Sequence, residues 1–207
     1  MIECRICNNS RNNKSFSAKE MMYGSREKFN YFLCSDCGCL QITEIPKNMN
    51  DYYPNNYYSY EKLQRHNYYK YQLVKIRNRY GILRKGFLGK ILFNIFPQPD
   101  LKIMGHIGVD LNTSVLDVGS GSGSYLKLLH DSGLKSLLGI DPLIDADKTY
   151  ENGFSIKKRS IHDQDGNWDL VMFHHSFEHL IDPLETLQSV NKILKKDGIC
   201  LIRIPII

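Results

Sequence analysis

The sequence predicts an α/β chain: a doubly wound parallel sheet over residues 111–207, preceded by a small cysteine-rich head and a basic, tyrosine-rich middle. The sheet follows from short apolar runs that alternate with helix-periodic segments, the first run turning into a helix through closely spaced glycines. The head follows from the cysteines: five of six fall in residues 1–50, and four of these form two C-x-x-C pairs.

Each element has a local reason. SVLDVG is β-branched and apolar and stops at Gly119, so it reads as a strand; SYLKLLHDSG carries apolar residues at helical spacing and stops at Gly133. SLLGIDP reads as a second strand, IDADKTYENG as a short helix, FSIKKRSI as a third strand and WDLVMF as a fourth. DPLETLQSVNKILKKDG reads as a helix and GICLIRIPII as a fifth strand.

Composition bounds the rest. With 207 residues and 42% hydrophobic content the chain can bury a core. No apolar run reaches the roughly 20 residues of a membrane span, and MIECRIC lacks the features of a signal peptide, so a cytoplasmic location is expected. The net charge of +5 resides in residues 61–90, where nine Lys or Arg accompany one Glu. Lys62, Arg65, Lys70, Lys75, Arg77, Arg79, Arg84 and Lys85 either form a solvated helix face or bind phosphates of a nucleotide sugar, RNA or a lipid head. GFLGKILFNIF is expected to pack against the sheet, a membrane surface being the alternative.

Cys4, Cys7, Cys34 and Cys37 have the knuckle spacing of a tetrahedral Cys4 zinc ribbon, a closed and therefore structural site. Residues 1–50 are expected to fold around it as a zinc-ribbon-like head, with residues 51–110 as a basic helical linker. Cys39 is left over.

Gly119, Ser120, Gly121 and Gly123 lie where a strand becomes a helix, a place where backbone approaches ligand closely. Asp117, two residues before the first glycine, repels a pyrophosphate but attracts an ammonium, which favours an amino-acid-bearing cofactor over a dinucleotide. Asp141 ends the second strand and suits both hydroxyls of a ribose.

These residues resemble class I S-adenosylmethionine-dependent methyltransferases, whose fold is Rossmann-like and normally continues beyond this point with another helix and two strands, so the resemblance implies a sheet incomplete at its C-terminus. VLDVGSGSG resembles the first motif, LLGIDP the second, WDLVMFHHSFEHL the motif after the fourth strand, and ILKKDG with ICLIRIP the final helix and strand. The resemblance implies that Asp117 and the glycines hold the methionine end of S-adenosylmethionine and Asp141 with Pro142 the ribose. It places Ser160 and Ile161 near the adenine and Phe173 and His174 along the cofactor. The zinc-binding head, FHHSFEHLIDP and LIRIPI are similar to members acting on sugars of natural products or surface polysaccharides, which implies a sugar or glycan acceptor, free or as a nucleotide sugar.

His175, Glu178 and His179 admit several readings. As H-x-x-E-H they mimic one class of zinc peptidase, but Pro183 stops any helix after about one turn and only 28 residues remain to supply a third ligand. Near the fourth strand's end, His175 suits a general base, with Glu178 and His179 beside it. Related enzymes carry E-x-x-E-H here and bind a divalent cation; His at 175 departs from that pattern. Alternatively, Glu178 and His179 only stabilise the following turn. The expected activity is methyl transfer to a sugar hydroxyl or carbon; the alternatives are a truncated, non-catalytic cofactor-binding protein and an RNA methyltransferase.

Overall fold

The computed structural model describes residues 2–21, 24–47, 68–150 and 153–205, which form two compact units. Lys62, Arg65 and the tyrosine-rich residues 51–67 lie outside the described residues, as do Ile206 and Ile207.

The N-terminal unit is an antiparallel sheet of β1 (Lys14–Lys19), β2 (Lys28–Leu33) and β3 (Leu40–Ile42). Two matching turns carry its cysteines: Asn8 N–H donates to Cys4 O at 2.9 Å and Gly38 N–H to Cys34 O at 3.0 Å. The buried apolar cluster here is small, Phe32 with Cys4 and Cys34, and Ile6 and Cys7 packed around it. So little apolar burial leaves this unit in need of a covalent or metal staple.

The second unit begins with three helices, α1 (Tyr68–Leu83), α2 (Phe87–Ile95) and α3 (Pro99–His106). Ile82 of α1 and Leu101 and Met104 of α3 share one core with Val115, Leu126, Leu170 and Met172. The segment that composition sets apart thus contributes core to the sheet unit. Contrary to expectation, α2 packs on α1 instead of the sheet. The contact is glycine-mediated: a Cβ on Gly81 would meet Phe93 Cε2 at 2.8 Å, and one on Gly89 would meet Tyr80 Cβ at 2.7 Å.

The sheet contains β4 (Val115–Val118), β5 (Leu137–Ile140), β6 (Lys148–Thr149), β7 (Ser155–Lys157), β8 (Trp168–His174) and β9 (Leu194–Arg203). Their spatial order is β6-β7-β5-β4-β8-β9; β6 alone is antiparallel to its neighbour, β7. Chain order reverses at β4, the switch point of a doubly wound Rossmann-like sheet, so the crevice beyond the carboxyl ends of β4 and β8 is where a ligand is expected. The helix α4 (Ser124–Ser132) follows β4 and α5 (Pro183–Ile193) precedes β9.

Further sequence expectations fail in the sheet unit. Among the described residues of IDADKTYENG there is no helix: Lys148–Thr149 pairs antiparallel with Ser155–Ile156. Asp147 explains this, because its carboxylate accepts Lys158 N–H at 2.7 Å and Lys157 Nζ at 3.0 Å, side-chain bonds that compete with a helix. Another is the end of α5, which stops at Ile193 instead of continuing to Gly198. Leu194 already pairs with Trp168, whereas the next pair is Leu170 with Ile199, so Lys195–Gly198 bulge out of the ladder. Lys195 Nζ holds the bulge on Asp169 at 2.8 Å. The third strand is also shorter than FSIKKRSI, ending at Lys157.

Candidate active site

The carboxyl edge of the sheet gathers most of the residues singled out in the sequence. Asp117 lies inside β4 and is buried, and its Oδ1 has no hydrogen-bond partner. Burial, reinforced by the nearby Asp141 charge, pushes its carboxyl up to about 7. The loop after β4 is compressed against β8: a Cβ on Gly119, at φ +75°, would lie 2.5 Å from Ser176 Cβ. Ser176 Oγ donates to Val118 O, tying the two strand ends together.

The loop spends its own donors. Gly119 and Ser120 N–H both donate to Ile140 O, Gly123 N–H to Ser120 O, and Gly121 N–H to Asp141 Oδ2 at 2.9 Å. A pyrophosphate would therefore meet few free loop donors and a carboxylate. Asp141 is itself buried, its Oδ1 accepting Leu143 N–H at 2.9 Å. Each of its oxygens retains a lone pair. Ser120 Oγ, also buried, has no partner.

Beyond these, Pro142 is exposed, while Ser160 caps the short 3-10 turn Ile161–Asp163, its Oγ accepting His162 N–H at 3.3 Å. Ile161 is buried. Phe173 is wholly buried with its ring edge-on to Phe177, 5.2 Å between centroids.

Residues 65–206 match a family model described as a methyltransferase domain. The chain belongs to the methyltransferase domain family. No curated protein gives a significant match. Among solved structures, the YcgJ protein of Bacillus subtilis is 17% identical at a TM-score of 0.40, over 49% of this chain and 47% of that one. A SAM dependent methyltransferase from Aquifex aeolicus is 18% identical at a TM-score of 0.38, over 63% and 69%. Coclaurine N-methyltransferase, bound to N-methylheliamine and SAH, is 14% identical at 0.39, over 63% of this chain and 42% of that one. The chain thus spans under half the length of the first of these.

For a methyltransferase domain the donor set fits S-adenosylmethionine: a buried, unpartnered carboxylate for an ammonium, an unpartnered serine hydroxyl, and a second acid with lone pairs left for a diol.

The histidine stretch takes an unexpected shape. His175 is exposed at φ +56°, a left-handed conformation that costs a non-glycine residue about 1–2 kcal/mol, and its N–H donates to Arg203 O at 2.9 Å. Glu178 and His179 are exposed on the 3-10 turn Phe177–His179. Among the described residues, the ligand atoms that converge as a metal site are those of Cys4, Cys7, Cys34 and Cys37, not of His175, Glu178 and His179.

Sequence reasoning missed a cluster beside them. The Tyr125 ring stacks on His174 at 4.3 Å, Tyr125 Oη donates to Asp100 O at 3.2 Å, and Arg203 ion-pairs with Asp100. Arg203 Nη1 also donates to His174 Nδ1 at 3.5 Å. Burial, then the Arg203 charge, holds His174 down at about 4. A guanidinium donating to Nδ1 leaves Nε2 carrying the imidazole proton, so His174 is a neutral donor. One signal was available: Arg203 is the only ionisable residue besides Cys200 in GICLIRIPII. The Tyr150 hydroxyl, which donates to Ser122 O at 2.7 Å, had no such signal.

In the head, the four sulfurs lie within 4.8 Å of one another, with Cys4–Cys37 at 3.6 Å and Cys7–Cys34 at 3.5 Å. Tetrahedral Zn–S bonds of about 2.3 Å put sulfurs roughly 3.7 Å apart, so the quartet fits zinc and is too open for disulfides. Gln41 Nε2 donates to Cys4 Sγ at 2.9 Å and Asn9 Nδ2 to Cys34 Sγ at 3.6 Å, the outer contacts that thiolates need. The backbone N–H of Cys37 leads the groups that lower Cys34 to about 6. Cys39 is outside the quartet.

A separate cavity of about 450 Å³, lined by Asp110, Asp169, Lys195 and Asp197, lies at the sheet's opposite edge. Its Asp169 is engaged by Lys195 and by Ser114, which hold it at about 2.

Proposed function

We propose that the chain transfers a methyl group from S-adenosylmethionine to a hydroxyl or carbon of a sugar or glycan. The observation that carries the reading is Asp117: a wholly buried carboxylate with an unpartnered oxygen, beside a glycine loop at the switch point of the sheet. An anion there is costly unless a cation meets it. The ammonium of the methionine moiety is that cation. The glycine loop, Asp117 and Ser120 hold the methionine end; Asp141 with Pro142 holds the ribose. Ser160 and Ile161 border the adenine, and Phe173 and His174 line the cofactor's course.

The cofactor supplies a methyl on a sulfonium; the chain's work is alignment and removal of one proton. His175 takes that proton from the acceptor hydroxyl, its strained, exposed position at the strand's end being one that function would maintain. Glu178 and His179 orient or charge the same lip. The sugar class rests on the resemblance of FHHSFEHLIDP and LIRIPI. Cys4, Cys7, Cys34 and Cys37 hold a structural zinc that stabilises the head, and six cysteines that form no disulfide suit a cytoplasmic location.

Incubation with methyl-labelled S-adenosylmethionine and a panel of nucleotide sugars tests the proposal. Label should enter a sugar, and His175→Ala should slow it about a hundredfold or more. Binding without turnover across the panel would instead leave a cofactor-binding protein; label entering RNA would move the acceptor class.

A further inference from the structure

We propose that α2 is a membrane-surface anchor, docking the chain on an anionic bilayer. This goes beyond the methyl-transfer reading and does not rest on it. At 3.6 residues per turn, Phe87, Leu88, Ile91 and Ile95 share an arc of about 100°. All four are exposed, Phe87 at 81% and Ile95 at 60%, and Phe96 extends the patch at 61%. Gly89 and Phe93 occupy the other side and are buried. The helix is therefore anchored through two residues, while its apolar arc faces outward. A contiguous row of large apolar side chains is unusual on a soluble surface.

Charge complementarity names the occupant. From Tyr68 to Pro99 there are seven Lys or Arg and no Asp or Glu. Lys90 and Asn94 flank the apolar arc, and Lys85 precedes the helix, all three exposed. Arg84 is held over the Tyr80 and Phe93 rings at 5.9 and 5.4 Å. Long cationic side chains bordering an apolar face reach lipid phosphates while the face enters the acyl boundary. A hydrophobic protein partner would not require the missing acids. No helix among the described residues is long and apolar enough to cross a membrane, so the contact is interfacial.

The test is co-sedimentation of the full chain with phosphatidylcholine vesicles and with mixed phosphatidylcholine–phosphatidylglycerol vesicles. The chain should prefer the anionic vesicles about tenfold or more, and about 0.5 M salt should weaken binding. F87S/I95S and K85E/K90E should each lose about tenfold, with unchanged thermal midpoints because the altered side chains are exposed. The proposal is overturned by equal partitioning onto both vesicle types or by full vesicle binding of F87S/I95S. It is equally overturned by RNA binding in place of vesicle binding, or by a dimer that F87S/I95S dissolves, which would assign the face to a second copy.

Discussion

Asp117→Asn separates stability from binding at one buried group. The unfolded chain ionises this carboxyl near 3.8 and the folded chain at about 7. Between those values the folded protein holds a proton the unfolded chain has lost, so ligand-free stability falls as pH rises from about 4 to 7. The difference corresponds to about 4 kcal/mol at pH 8. An asparagine removes the charge but brings an NH₂ that lacks a partner, at about 1–3 kcal/mol. The net expectation is a ligand-free protein about 2 kcal/mol more stable at pH 8, or roughly 4–8 °C in Tm at this chain length. Binding should move the opposite way, because the variant loses a charge-assisted bond to the ammonium, about a hundredfold in Kd. Wild-type affinity should also rise from pH 6 to pH 8 as Asp117 ionises, and that of D117N should not. Thermal scans with and without S-adenosylmethionine, together with calorimetry, read both effects. A variant less stable at pH 8, or one that binds like wild type, would refute the reasoning.

Three further outcomes are expected. Gly119→Ala, forced to φ +75° and against Ser176, should lose at least about 1–2 kcal/mol of stability and its S-adenosylmethionine binding, read by thermal unfolding and calorimetry. Metal analysis should find about one zinc per chain; Cys34→Ser or strong chelation should remove it and melt the head's amide protection, whereas Cys39→Ser should leave both intact. Arg203→Leu should raise the His174 pKa from about 4 toward its ordinary value, since the repelling charge goes and Asp100 stays; imidazole NMR titration reads this, and an unmoved resonance would separate the two side chains.

Sequence by itself determined the alternating elements, the glycine loop and the cysteine spacing, because each is written in local pattern: apolar period, stop residues and ligand intervals. It also singled out Asp117 and Asp141, which the fold buries inside β4 and just after β5. Tertiary structure decided what depends on pairing across the chain. Asp147 takes Lys157 and Lys158 as partners and so replaces a short helix with an antiparallel strand pair. Leu194 joins Trp168 and ends α5 early. Arg203, far from Asp100 and Tyr125 in the chain, joins them around His174 only because β9 lies beside β8. The exposure of Phe87 and Ile95 was likewise undecidable from periodicity. An amphipathic pattern states that a helix has an apolar side, and only the packed neighbours determine whether that side is covered.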